Sequence, residues 1–192
     1  MPHLIIIRHS NTRVSASVAN KDWAITSEGL TRTVTLAQQL APYQIETLYT
    51  STFAKTKLTG QVLADALGID VAGARHAFDE NDRKGVPFHE SRAAFLAAIQ
   101  SFFEQPDDVV FGNESAQAVA ERFAAGVLAV LGNSAEKTIA IVTHGVAPSH
   151  FLAPILEKSP FDTWLQIQDL GMPCYFVLTL PDLKLVTAAS VV

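Results

Sequence analysis

Residues 5–10 read Ile-Ile-Ile-Arg-His-Ser, and with Leu4 ahead of them they form a short aliphatic run that delivers a guanidinium and an imidazole at its end. A run of β-branched and aliphatic residues without polar alternation predicts a strand buried on both faces. Open α/β sheets bind ligands just outside the carboxyl ends of such strands. Residues 139–145, Ile-Ala-Ile-Val-Thr-His-Gly, repeat the form: a second buried strand ending in a histidine. Two strands of this kind lying parallel in one core would bring His9 and His144 to one place. A single histidine beside an apolar strand is ordinarily a satisfied structural residue. Two at matching strand ends, one preceded by Arg8, predict a site that binds an anion and uses imidazole as nucleophile or proton carrier.

Working outward, the chain alternates strands and helices. A polar loop, Asn11 to Asp22, follows the first strand. Thr26 or Ser27 caps a helix whose apolar stripe is read as Leu30, Val34, Leu36, Ala37 and Leu40, and Pro42 ends it. Glu46 to Thr50 reads as a strand, Phe53 to Leu67 as a helix closed by Gly68, and Ile69 to Ala72 as another strand. Residues 75–89 are polar, carry Asp79, Glu80, Asp82, Arg83 and Lys84, and lack periodicity, which in a compact domain marks a functional loop. Helices are expected from Ser91 to about Phe103, from Glu114 to Leu131 and from Val146 to Glu157, with Pro148 tolerated in the first turn of the last. Tyr175 to Leu180 and Leu183 to Ala188 flank the turn signal Pro181-Asp182 and predict an antiparallel hairpin. The expected architecture is a three-layer α/β/α domain over residues 1–192, with a mainly parallel central sheet, a C-terminal antiparallel hairpin and a small helical cap inserted at about 75–112.

Composition narrows the function. The chain has 192 residues, 48% of them hydrophobic, with 14 Lys and Arg against 19 Asp and Glu, for a net charge of −5. Mean hydropathy is +0.21. No basic run occurs, which argues against a nucleic-acid partner. A bound anion must therefore be gripped by a few local cations. The lone cysteine, Cys174, allows no internal disulfide and reads as an inert core thiol. No stretch approaches the ~20 apolar residues of a membrane helix, and the first strand is too short for a signal peptide. The expectation is a cytoplasmic protein without membrane partners. No cysteine–histidine cluster has zinc-site spacing, so no metal and no cofactor are expected. The oligomeric state stays open, a homodimer included.

Several stretches together resemble one family. Arg8-His9-Ser10-Asn11-Thr12 resembles the Arg-His-Gly signature of the histidine phosphatase superfamily, the phosphoglycerate mutase-like fold. Thr26-Ser27-Glu28-Gly29, the segment Thr50 to Thr56, Phe78-Asp79-Glu80, Gly112-Asn113-Glu114-Ser115 and Thr143-His144-Gly145 resemble further family motifs in the same order. The resemblance implies metal-independent hydrolysis of a small phosphate monoester. His9 would become phosphohistidine, its other ring nitrogen held by a backbone carbonyl. Arg8 and Lys55 would bind phosphoryl oxygens, with His144, Gly145, Ser10, Thr12 and Ser15 as further contacts. Glu80 would be the general acid and then the base, with Asp82 as the substitute candidate. Glu114 reads as a helix N-terminal charge, Lys57 as a surface charge, and His3, His76, His89 and His150 as bystanders, of which His76 and His89 lie near the acidic loop and are candidates to touch substrate; Arg83 and Lys84 either bind substrate or solvate the loop.

Two departures from the pattern matter. Ser10 stands where glycine is usual; its side chain would crowd the phosphate or add a donor, and a positive φ there would strain it. Lys55 stands where arginine is usual and offers a point charge in place of a planar fork. These departures motivate an alternative, a weak or inactive member that binds a phosphorylated ligand or protein. A mutase-type phosphotransferase is a further alternative, disfavoured by the short chain. A serine hydrolase using Ser10 or Ser149 lacks the Gly-x-Ser-x-Gly elbow.

Overall fold

The computed structural model describes residues 1–86, 88–89, 91–132 and 137–191. These form one six-stranded sheet. Its strands are β1 (His3–Arg8), β2 (Thr47–Thr50), β3 (Val71–Ala74), β4 (Ile139–Thr143), β5 (Cys174–Thr179) and β6 (Leu185–Ser190), in the order β3-β2-β4-β1-β5-β6. β1, β4, β2 and β3 run parallel, while β5 pairs antiparallel with both β1 and β6. The mixed sheet expected from sequence is the one observed.

Alternation along the central strands builds two cores. Leu4 and Ile6 of β1, Ile139 and Ile141 of β4, and Phe176 and Leu178 of β5 face one side. They pack there against α3 (Arg92–Glu104), α4 (Ala116–Leu131), the short α5 (Ser149–Leu152) and α6 (Pro160–Leu170). Ile5, Ile7, Ala140 and Val142 face the other side, against α1 (Ser27–Leu40) and α2 (Ala54–Leu67). Every one of these strand residues is essentially inaccessible to water, which is why the runs read as continuous aliphatics instead of an alternating pattern.

Four sequence expectations need correction. The buried face of α1 is Gly29, Thr33, Leu36, Ala37 and Leu40, while Leu30 and Val34 are exposed. The helix is rotated because the Gly29 carbonyl accepts hydrogen bonds from both Ser10 Oγ and Thr33 Oγ1, which turns that side inward. The third strand lies two residues later than expected. The helix expected from Val146 to Glu157 is only Ser149–Leu152. Pro154 has no N–H to give the carbonyl four residues back, so the helix stops there. A full helix then follows that the sequence reading did not anticipate: α6 starts at Pro160, with Ser159 Oγ accepting from the Asp162 N–H. Ser-Pro at cap and first position was the available signal.

The segment 75–112 contains α3, whose Ile99, Phe102 and Phe103 belong to the main core and whose Phe95 stands 6.2 Å from the Trp164 ring of α6. Pro87 and Glu90, inside that segment, lie outside the described residues. Among the described residues no helix is long and apolar enough to cross a membrane.

Candidate active site

The parallel register pairs Arg8 with Thr143, so His9 and His144 leave the sheet as neighbours. The His9 N–H donates to the Thr143 carbonyl at 2.9 Å, and the ring centroids stand 5.3 Å apart. His9 Nδ1 lies 2.8 Å from its neighbour's carbonyl, Ser10 O. A carbonyl only accepts, so Nδ1 carries the proton and Nε2 of the neutral ring holds the free lone pair. Burial, then the charges of Lys55 and Arg8, hold the His9 pKa well below the usual 6.5 and keep the ring neutral.

His144 is fixed from the other side. Its Nε2 lies 2.7 Å from Ser51 Oγ, which lies 2.6 Å from Thr56 Oγ1. Thr56 Oγ1 donates to the Phe53 carbonyl at 2.8 Å. With that proton committed, Ser51 donates to Thr56 and must accept from His144 Nε2–H. The neutral ring is then bare at Nδ1, a fully buried nitrogen without a partner among the described residues. Burial and the neighbouring cations, Lys55 first, push the His144 pKa well down as well.

Three cations surround this pair. The Arg8 guanidinium donates to the carbonyls of Ile167 and Gly171 and to Gln168 Oε1, so the unanticipated α6 orients it, and its buried Nε has no partner among the described residues. Lys55, 3% exposed, donates to the backbone and side-chain oxygens of Asn20 and lies 4.9 Å from the Trp23 ring centroid. Burial lowers its pKa to about 8 in spite of the favourable Glu80 charge. Lys57 is exposed, as expected. The third cation, Arg83, is coupled electrostatically to Glu80, Lys55 and His144.

Glu80 is the carboxylate that the structure brings in. It is 7% exposed, and its Oε1 accepts from the N–H groups of Val146 and Ala147, just past His144. Asp82 is exposed and tied to the Lys84 N–H and to Asn113, so the structure does not bring the substitute candidate to the histidines. The loop bearing Glu80 is clamped by Arg122 of α4. Its Nη1 donates to the carbonyls of His76, Ala77 and Asp79, while Nε and Nη2 grip both oxygens of Glu114. Glu114 also accepts from the Asp82 N–H, so it acts as more than a helix-terminal charge. Gly112, at φ 105°, passes beneath this loop, and a Cβ there would fall 2.3 Å from the Asp82 carbonyl. Asp79 ties the loop to the start of α2 by accepting from the Thr52 N–H and hydroxyl, and it pairs with His76.

The remaining expected contacts divide. Gly145 is buried between the histidines' strand and α6, where a Cβ would sit 2.8 Å from Gln168 Nε2. Ser10 is not strained, having no positive φ. Its N–H donates to Thr59 and its Oγ to Gly29, so the hydroxyl expected as a phosphate donor is already engaged. The Ser15 hydroxyl bonds Ser17, and Thr12 forms a backbone bridge with Ile25. The Ser15 hydroxyl is thus engaged with Ser17 and not with the histidines. Cys174 is a buried thiol with its pKa raised to about 11 by burial. Among the described residues, no group of three or more His, Cys, Asp and Glu is placed to hold a metal ion.

Sequence reasoning missed Ser51 and Arg122, and it left Arg83 open between binding substrate and solvating the loop. Ser51 had a signal, for it follows a third strand end and its N–H donates to the Val142 carbonyl of β4. Arg122 had none, because the carbonyls it gathers are some forty residues upstream.

A family model described as the histidine phosphatase superfamily (branch 1) matches residues 4–179. No curated protein matches the chain by sequence. Among solved structures, a mutant phosphoserine phosphatase from Entamoeba histolytica in complex with phosphoserine is similar with a TM-score of 0.75 and 19% identity, over 100% of this chain and 98% of that one. The mycobacterial glucosyl-3-phosphoglycerate phosphatase complexed with VO3 is similar with a TM-score of 0.77 and 19% identity, over 99% of this chain and 100% of that one. At that identity the likeness is one of fold.

Proposed function

This chain belongs to the histidine phosphatase superfamily, and from that premise we propose that it hydrolyses a small phosphate monoester through a phosphohistidine at His9, with side chains in place of a metal ion. One observation carries the reading: the His9 proton is committed to the Ser10 carbonyl, so Nε2 presents a lone pair beside three cations and a buried carboxylate. Solved phosphatases that share the fold, on phosphoserine and glucosyl-3-phosphoglycerate, lend support.

His9 Nε2 attacks phosphorus as the ester P–O bond breaks, and Glu80 gives its proton to the departing oxygen. Arg8 and Lys55 hold the non-bridging oxygens and offset the charge they gain in the transition state. His144 takes up a second proton at Nδ1 as the dianion arrives, because the anion offsets the burial and the cation repulsion that keep the empty ring neutral. Water then attacks phosphorus, Glu80 takes its proton, the P–N bond breaks and phosphate departs. In this reading the expected cap at about 75–112, which carries Glu80, sets which ester fits. The non-catalytic alternative loses one motive, since Ser10 is unstrained and its side chain turns away to Gly29.

The test is hydrolysis of p-nitrophenyl phosphate in excess chelator by the wild type and by His9→Ala. The expected outcome is chelator-resistant turnover lost by at least 10³-fold in the variant, on the order of what a covalent nucleophile contributes. Turnover that survives the substitution would sink the phosphohistidine step, and turnover abolished by chelator would sink metal independence.

A further inference from the structure

The loop between β1 and α1 carries none of the reacting groups, yet it is built around one of them. Its base is closed by the bridge between Thr12 and Ile25 and by the Arg13 N–H, which donates to the Ala24 carbonyl. Its far end, the 3-10 turn Asn20–Asp22 with Trp23 behind it, wraps the Lys55 ammonium. The Asn20 backbone oxygen lies 3.2 Å from Nζ and its Oδ1 3.4 Å. The Trp23 ring centroid stands 4.9 Å away and that of Phe53 5.4 Å. The indole N–H is shared between the carbonyls of Ser15 and Val18, at 3.1 and 3.0 Å, which sets the plane of the ring. Either Lys55 staples the loop or the loop aims Lys55, and burial decides. A lysine that only staples a loop stands at the surface, like Lys57, where contact with a ring costs no desolvation. Lys55 is 3% exposed, and burying an ammonium costs more than one loop contact returns. Lys55 is also the charged neighbour that acts most strongly on both His9 and His144.

An ammonium is a point charge on a flexible four-carbon stem, with no plane to fix where its N–H groups aim. Of its three donors, two meet the Asn20 oxygens, and among the described residues the third has no acceptor. We propose that Asn20 and Trp23 are positioning residues, which hold the Lys55 ammonium on an oxygen pair and a ring face and leave its third N–H for a non-bridging oxygen of the bound phosphoryl group. The turn supplies the fixed direction that lysine lacks and that a planar guanidinium carries in itself. Neither residue touches the reacting atoms; both act through Lys55. The proposal rests on the phosphatase reading only in that Lys55 meets the oxyanion.

Action through Lys55 alone is what a double-mutant cycle measures. Tungstate affinity is read by calorimetry at pH 7 for the wild type, Trp23→Leu, Lys55→Met and the double variant. Trp23→Leu is expected to weaken binding by about fivefold, and by less than about twofold once Lys55 is methionine. An equal loss in both backgrounds overturns the proposal, because Trp23 would then shape the site without Lys55. So does undiminished affinity in Lys55→Met. A second arm places 4,5,6,7-tetrafluorotryptophan at residue 23, which keeps the size of the ring and drains its negative face. The charged groups that act on the ammonium, Glu80, Arg83 and Arg8, stay as they are, and Lys21 and Asp22 of the turn are exposed. Weaker attraction to the ring disfavours the charged amine, so the alkaline loss of tungstate affinity moves down by about half a pH unit. A merely space-filling indole would leave it in place. An unmoved profile overturns the proposal, and this arm decides should Trp23→Leu not fold. Both arms read affinity, so failure of the phosphatase reading is separate: it appears as absent p-nitrophenyl phosphate turnover by the wild type.

Discussion

Lys55 carries its charge under duress. Its ammonium is buried, and desolvation brings its pKa down to about 8 although Glu80 opposes the shift. The sign is that of a lowered cationic pKa: the charge is present below about 8 and lost above it. If Lys55 grips the phosphoryl group, kcat/KM, which reports the free enzyme, declines above about pH 8. Lys55→Arg, charged throughout, removes that alkaline limb. A limb that survives in the arginine variant would assign it to another group. Ser51 makes a second claim at this scale. With Ser51 accepting at Nε2, neutral His144 has no proton at Nδ1 and must take one to donate to an oxyanion. Binding of tungstate, a dianion across this range, should therefore show net proton uptake at pH 7 by calorimetry in buffers of different ionisation heat. Ser51→Ala lets the neutral ring carry its proton on Nδ1, so the uptake shrinks and kcat falls by about tenfold, the value of one buried hydrogen bond. Equal uptake in both proteins would refute this assignment of the tautomer. The placement of His9, His144 and Arg8 was legible from residue types, because they sit at strand ends; Glu80, in a loop without periodicity, was singled out only by the family resemblance. The engaged hydroxyl of Ser10 was not legible, since its acceptor, Gly29, is fixed by how α1 packs.

Elements, more than single residues, place Glu80. Among the described residues, its loop has no secondary structure beyond one turn of 3-10 helix. It is held by Arg122 from α4, by Asp79 to the start of α2, and by the Thr143 hydroxyl, which donates to the Phe78 carbonyl. Arg122→Met leaves those carbonyls and both Glu114 oxygens short of donors, at a cost of about 2 kcal/mol in stability, read from denaturant midpoints. The kinetic effect should depend on the leaving group. An alkyl phosphate needs the Glu80 proton and loses on the order of 10²-fold in kcat, whereas p-nitrophenyl phosphate, whose anion leaves unaided, loses much less. Equal losses on both would mean that Arg122 serves the phosphate pocket as a whole. The same scale shows where sequence reading succeeds and fails. The strands bearing both histidines, α2 with its closing Gly68 and α4 were legible from periodicity and end signals. α6 was not, because attention to the helix after His144 ran through Pro154, and α6 is the element that orients Arg8. The exposed Leu30 and Val34 show a related limit: an apolar stripe is only a default for the buried face, and hydrogen bonds at Gly29 override it.

At the scale of the whole molecule, the site is a fault line in an otherwise apolar interior. His9 and His144 lie in the seam between the two cores, 6% and 0% exposed, and both are kept neutral by burial and adjacent cations. The unfolded chain binds protons at these positions from about pH 6.5 downward, while the folded chain resists. The unfolded state therefore holds more protons, and stability is lost as pH falls below about 6.5. At pH 5.5 the two rings together cost about 3 kcal/mol, a sizeable share of an ordinary domain's 5–15 kcal/mol, before most carboxylates begin to titrate. Denaturant midpoints at pH 7.5 and 5.5 measure it. An anion in the site should offset the loss, because a dianion gives the protonated rings a counter-charge and the bare Arg8 Nε an acceptor. Tungstate should accordingly raise the midpoint more at pH 5.5 than at pH 7.5, after allowance for its occupancy. If acid destabilises the protein and tungstate gives no extra protection there, the sensitive groups lie outside the site. If tungstate protects most where the rings are protonated, the strain that acid reveals is the same charge imbalance that draws a phosphate in.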